Sequence, residues 1–358
     1  MRLRSLLTAV LLCAVPAAAK AQMQGSTNPP TYHPAPPFAV GLGPEDIVAL
    51  PGTKWLIAGA APGSTPADRA GLSLIDTTNP ATILPLYPAP NASDDFDAGR
   101  FKDCPGPLKA GFAPHGINVT KLMDGSYDLL VINHRGRESV EIFHLTQDAT
   151  PRAVWRGCVV LPKWAGGNSL TALPNQAGYV VTNFIRRGNP DFLDDMERGT
   201  ETGDVLKWTP AGGWSEIVPQ KFSGANGVEI SPDGHWLFIN EWSDYKVWRF
   251  PMDGNGPPKV IHLDFMPDNL RLSGRGTLLI AGQDADAINV MTCLRRHVPC
   301  QPGFTVLEMN PDTMQTTVLA KGGDADFGGA TGSALAGGYL WISAYYGNKV
   351  ARYAPNAR

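Results

Sequence analysis

Six times along the chain, a short segment opening on a polar or small residue is followed, 8 to 12 positions later, by an apolar run of strand length. The six segments begin at Gly43, Pro114, Gly167, Ala225, Pro267 and Gly329. Each unit continues with a second strand rich in β-branched and aromatic residues, a loop, and a third strand. The third strands are clearest at Ser139–Phe143, Asp204–Trp208, Lys246–Phe250, Thr305–Met309 and Lys349–Tyr353, where alternation predicts a sheet with unlike faces. The intervals between units run from 42 to 70 residues, an imperfect repeat near the length of a four-stranded blade. The pattern predicts an all-β fold, a six-bladed β-propeller over residues 40–358; a β-sandwich has no need of six such units.

Composition sharpens this reading: 39 Gly, 32 Pro and only 18% charged residues favour many turns and short strands over helices. The turns between first and second strands are tight and glycine-bearing, as at Pro51-Gly52, Asp124-Gly125 and Asp233-Gly234, so they make a plain face. The starts of the first strands then share the opposite face with the loops between second and third strands. Three of those loops are long, spanning 61–71, 185–203 and 284–303, and long loops over a polar centre commonly form a binding site.

If the six first strands surround one axis, the residues at their starts meet there: Glu45, His115, Asn168, Asn226, Asp268 with Asn269, and Thr331. Any one Asn or Asp at such a position is ordinary turn chemistry, but five oxygen donors at equivalent places in a repeat point to a hard cation. Calcium takes about six to eight oxygen ligands, so Glu45, Asn168, Asn226, Asp268 and Asn269 would leave places for water and substrate; zinc or copper calls for His and Cys. Asp46 lies on the other side of its strand, as a backbone cap or as part of a second, structural ion site. His115 and His134 fall on the long-loop face and could share a proton as a base pair, or fill the axis as hydrogen-bonded histidines. Trp242, Tyr245, Tyr345 and Tyr346 follow second strands onto that face and either wall a substrate or pack the blades. Phe184, Phe192 and Met196 are lid candidates in the long third-unit loop. No Gly-x-Ser-x-Gly elbow and no P-loop occurs, which leaves serine-triad and nucleotide chemistry without support.

The N-terminus carries Arg2 and Arg4, an apolar stretch from Leu6 to Val15, and Ala19-Lys20-Ala21 as a cleavage site, the pattern of a signal peptide over residues 1–21. The expectation is therefore an exported protein, periplasmic or secreted. Residues 22–39 are expected as a lead-in, and 25–37 as too proline-rich for a strand. Past residue 21 no run suffices for a membrane span, and 27 basic against 33 acidic residues argue against a nucleic-acid partner. Four cysteines remain there, and in an oxidising compartment they suggest two disulfides, with Cys293–Cys300 and Cys104–Cys158 the favoured pairing. A zinc site on Cys293, His297 and Cys300 lacks a fourth ligand. The sequons at Asn91 and Asn118 matter only in a host that glycosylates.

Taken in order, GPEDIV from Gly43, FAPHGI from Phe112, VINH from Val131, ANGVEISPDG from Ala225 and PDNL from Pro267 resemble the serial motifs of the paraoxonase/arylesterase family, within the gluconolactonase and senescence marker protein superfamily. The resemblance implies a six-bladed propeller with a catalytic calcium in its tunnel, acting on lactones, aryl esters or organophosphates. It places Glu45, Asn168, Asn226, Asp268 and Asn269 as calcium ligands and His115 with His134 as a histidine dyad, with Asp268 the alternative base. Ser169 stands where the family has an aspartate at the structural calcium, and Gly224 where it has an aromatic residue. The expected function is a calcium-dependent hydrolase, acting as a monomer on a small lactone or aryl ester. A lyase or isomerase on the same scaffold and a non-catalytic binding propeller are the alternatives.

Overall fold

The computed structural model describes residues 31–40, 43–60, 70–109, 111–296 and 301–356. Six separate sheets follow one another along the chain, antiparallel but for a short parallel edge pair of Ser93–Asp94 with Ala153–Val160, and form the six blades of a β-propeller. The innermost strands of blades 1 to 6 are Pro44–Ala49, Pro114–Lys121, Ala165–Ala172, Ala225–Ile230, Met266–Leu272 and Ala330–Ala336. Each pairs with the next strand in sequence, so the chain runs outward through each blade and returns to the axis to start the next. The third strands expected from alternation form at Ser139–Leu145, Asp204–Thr209, Lys246–Pro251, Gly303–Met309 and Lys349–Pro355; blade 1 adds Leu72–Asp76.

The proline-rich segment departs from expectation. Tyr32–Ala39 is a strand, the outermost of blade 6, antiparallel to Lys349–Pro355. Register shifts between Ala35 and Phe38, so the irregularity falls over Pro36 and Pro37. An outermost strand can spend proline there, since an edge needs amide donors toward one neighbour only. The ring is thus closed by the two ends of the described chain. Beside this closure, the seam of blades 1 and 6 is filled by Ile47, Leu56, Trp341 and Val350. Each such buried side chain contributes about 1.5–3 kcal/mol relative to exposure.

All six inner strands carry a register shift near their start: Pro44/Asp46, Pro114/Ile117, Gly167/Leu170, Ala225/Val228, Pro267/Leu270 and Ala330/Ser333. The skipped positions include Glu45, His115, Asn168, Asn226, Asp268, Asn269 and Thr331. A bulge breaks the strict up-and-down alternation of a strand, so consecutive residues can both reach the axis. Side chains opposite two of the bulges satisfy the freed amides: Ser169 N donates to Thr182 Oγ1 (2.9 Å) and Gly332 N to Ser343 Oγ (3.1 Å). Glycine fits these bends by close approach. A Cβ on Gly116 would stand 2.2 Å from the carbonyl oxygen of Asn168, and one on Gly227 2.5 Å from that of Asp268.

Two of the long loops contain short helices that period-2 patterning does not reveal, α1 (Phe192–Glu197) and α2 (Ala287–Arg296). Cys104 and Cys158 form a disulfide that ties the segment before blade 2 to that blade's fourth strand, Ala153–Val160. The other expected pair needs Cys300, which lies outside the described residues, as do the expected signal peptide and the 61–69 stretch. Asn118 is buried and donates to Leu170 O and Glu229, so the sequon there is closed to a glycan. No helix among the described residues is long and apolar enough to cross a membrane.

Candidate functional site

Glu45 comes from blade 1, Asn168 from blade 3, Asn226 from blade 4, and Asp268 and Asn269 from blade 5; all five side chains are buried. Hydrogen bonds draw them together across the axis. Asn269 Nδ2 donates to Glu45 Oε1 (3.0 Å), and Asn168 Nδ2 lies 3.5 Å from His115 Nε2, which is 3.6 Å from Glu45 Oε1. Thr331 of blade 6 turns its hydroxyl to the main-chain carbonyl of Glu45, with Ser343 Oγ donating to the same oxygen (3.1 Å). The sixth position therefore holds the backbone of Glu45 and is not open space for a substrate.

One property separates these side chains from ordinary buried polar residues. Among the described residues, the buried side-chain oxygens without a hydrogen-bond partner are Glu45 Oε2, Asn168 Oδ1, Asn226 Oδ1, Asn240 Oδ1 and Asn269 Oδ1. Four belong to the axial set. The fifth, Asn240, uses its own Nδ2 to hold the main-chain oxygen of Asp268 (2.7 Å). Buried oxygen acceptors normally find donors, because leaving one unpaired costs about 1–3 kcal/mol. The carboxylates answer to one another as well. Burial and the charge of Glu45 push Asp268 well above the usual carboxylate range. For Glu45, burial acts upward but His115, Asn269 and Arg271 outweigh it and hold it low. Two acids at one site are driven apart in this way when no cation shares them. No group of three or more His, Cys, Asp or Glu suited to a metal occurs among the described residues.

The structure brings His115 and His134 together: His115 Nδ1 lies 2.8 Å from His134 Nε2. The chain continues to a residue that sequence reasoning missed. His134 Nδ1 is 2.9 Å from Glu138 Oε1, which also accepts the Gly167 amide (2.9 Å), while Arg187 pairs with Glu138 Oε2. Burial works to raise Glu138, but these partners leave it below its ordinary value. With Glu138 accepting from His134 Nδ1, His134 Nε2 is free to accept from His115 Nδ1, and His115 Nε2 faces the axial groups, with a free lone pair only when the ring is neutral. Without a cation, burial opposes charging His115, yet Glu45, Asp268 and Asp46 raise it to about 9.

Above the axis, the expected wall residues gather in one apolar cluster. Trp242, Tyr345, Met196, Met266, Ala287 and Val290 are buried together, with Phe184, Phe192, Tyr245 and Tyr346 packed against them. Phe184 lies 5.6 Å from Trp242, and the two fill the space that Gly224, at φ 72°, leaves open. Trp242 Nε1 donates to Gln283 Oε1 (2.8 Å), whose Nε2 donates to Asp268 Oδ2 (2.7 Å). Gln283 is a second residue that pattern reading missed, since it sits next to last in a second strand with nothing to mark it. Asp46, entirely buried, pairs with Arg271 and accepts the amides of Ile47 and Ile117, both at 2.9 Å.

Comparison with known proteins agrees with this architecture. Residues 61–318 match the family described as Arylesterase. The chain is 26% identical over 242 residues to mouse (Mus musculus) serum paraoxonase/arylesterase 1, covering 64% of this chain and 63% of that protein. It is 25% identical over 277 residues to rat (Rattus norvegicus) serum paraoxonase/lactonase 3, covering 75% and 72%. The chain thus spans just under two thirds of the length of the mouse relative. Among solved structures, luciferin-regenerating enzyme superposes with a TM-score of 0.52 at 13% identity, over 89% of this chain and 95% of that one. A protein assigned as a gluconolactonase gives 0.50 at 13%, over 92% and 95%. These likenesses to solved structures speak for the fold. Because the family match runs through most of the propeller, from the middle of blade 1 to the last strand of blade 5, the chain belongs to the arylesterase family.

Proposed function

We propose that this protein is a calcium-dependent hydrolase of lactones or aryl esters, with the axial ring as its metal site. The observation that carries the reading is the set of buried oxygens on Glu45, Asn168, Asn226 and Asn269 that lack a donor. With Asp268 they make five hard ligands bearing two negative charges, which suits calcium and leaves coordination places free. When bound, calcium would neutralise the two carboxylates and polarise the carbonyl of an ester.

The chain's own groups supply the rest. Glu138 fixes the tautomer of His134, and His134 that of His115, so that His115 Nε2 offers its lone pair toward the ring and can take a proton from water. Asp268, hydrogen-bonded to Gln283, is the alternative acceptor. Trp242, Tyr345 and Phe184, with α1 and α2 beside them, present an apolar wall that would orient an aryl or alkyl group and exclude bulk water. Relatives named as arylesterase and lactonase support this substrate class. The Cys104–Cys158 disulfide supports export to an oxidising compartment. The test is turnover of phenyl acetate and of five- and six-membered lactones by the purified protein, before and after EDTA and on calcium return. We expect activity that chelation removes and calcium restores; turnover indifferent to EDTA, or none on either class, would contradict the assignment.

A further inference from the structure

Immediately beneath the ring lies a buried carboxylate that the chain itself pairs with a cation. Arg271, on the inner strand of blade 5, is buried against the axis. It forms an ion pair with Asp46 of blade 1, and its Nη1 donates to Ser169 Oγ of blade 3 (3.1 Å) and to Leu270 O (2.7 Å). All three partners adjoin a ring residue: Asp46 follows Glu45, Ser169 follows Asn168, and Leu270 follows Asn269. One planar guanidinium therefore ties together the three strands that supply four of the five ring side chains, which a compact ammonium cannot do. Asp46 pairs with this cation and accepts the Ile47 and Ile117 amides, although burial and the charge of Glu45 still raise its carboxyl to about 6. A cavity of about 1200 Å³ opens from the plain face. Its lining includes Arg271, Glu229 and Asn118 but none of the five ring residues, which places Arg271 at the level where the tunnel closes.

We propose that Arg271 is a built-in cation: it takes the place a second metal ion would have at Asp46, and it braces Glu45, Asn168 and Asn269 as a positioning residue. The protein accordingly holds one calcium, in the ring, and Asp46 binds none. This inference rests on the ring being a calcium site, and ion counting tests the two separately. Calcium retained by the purified protein after gel filtration is measured by elemental analysis, and affinity by calorimetry. Wild type is expected to retain one ion per chain. Two ions would overturn the built-in cation while leaving the ring intact; none would overturn the ring reading and the brace with it. The double substitution Ser169→Asp/Arg271→Met exchanges the guanidinium for a second carboxylate and is expected to raise the count to two. A folded double variant that still holds one ion contradicts the proposal. Arg271→Lys keeps the charge but loses the fork: the count should stay at one while calcium affinity falls about tenfold, in the range seen when groups supporting ligands are altered. Unchanged affinity in that variant would overturn the bracing role.

Discussion

At the scale of single residues, the axis is expensive. Four buried oxygens without donors, at roughly 1–3 kcal/mol each, approach the whole stability of an ordinary domain, about 5–15 kcal/mol. A hard cation that satisfies them together removes that cost, and this is the physical case for the ring. The same scale separates the roles of the histidines and Glu138. His115→Gln should lower turnover of a lactone or aryl ester by about 100-fold with bound calcium retained, because it removes the base and no ring oxygen. Glu138→Gln should lower kcat about tenfold with KM little changed, the magnitude of one lost charge-assisted hydrogen bond. Full activity of both variants would remove the relay from the mechanism. The ring residues were legible in the sequence because each is a polar residue at the head of an apolar strand. Glu138 was not, since it reaches His134 from a neighbouring turn; Arg271 was not, because it pairs with Asp46 across 225 positions of chain.

At the scale of elements, the bulged start of each inner strand turns a repeat into a site. Had the strands kept strict alternation, Glu45 and Asp46 would point to opposite faces, as sequence reading expects; instead Glu45 touches Asn269 and Asp46 touches Arg271, both on blade 5. Periodicity cannot announce a one-residue slip, so this geometry was hidden. Prolines hid the closing strand Tyr32–Ala39 in the same way, and the brevity of α1 concealed it inside a loop. The close approach of blades 2 and 3 gives a test at this scale. Gly116→Ala would place a methyl against the Asn168 carbonyl and should cost about 1–3 kcal/mol in urea unfolding, with weaker calcium binding. Wild-type stability and affinity would show that the bulges have slack.

At the scale of the whole molecule, radial closure brings residues more than 200 positions apart onto one axis, which is why a fold read from spacing could also yield a site. Strands far apart in sequence contribute one or two ligands each, the histidine relay enters from blade 2, and the apolar cluster of α1 and α2 stands over the long-loop side. The central claim is that these parts assemble around a single calcium. Its most direct measurement is calcium titration by calorimetry on the chelated protein, in wild type and in Asn226→Ala. The account predicts one tight site in wild type and its loss, or at least a 100-fold weakening (about 2.7 kcal/mol), in the variant. Equal calcium affinity in the two proteins, or no binding in wild type, would contradict it.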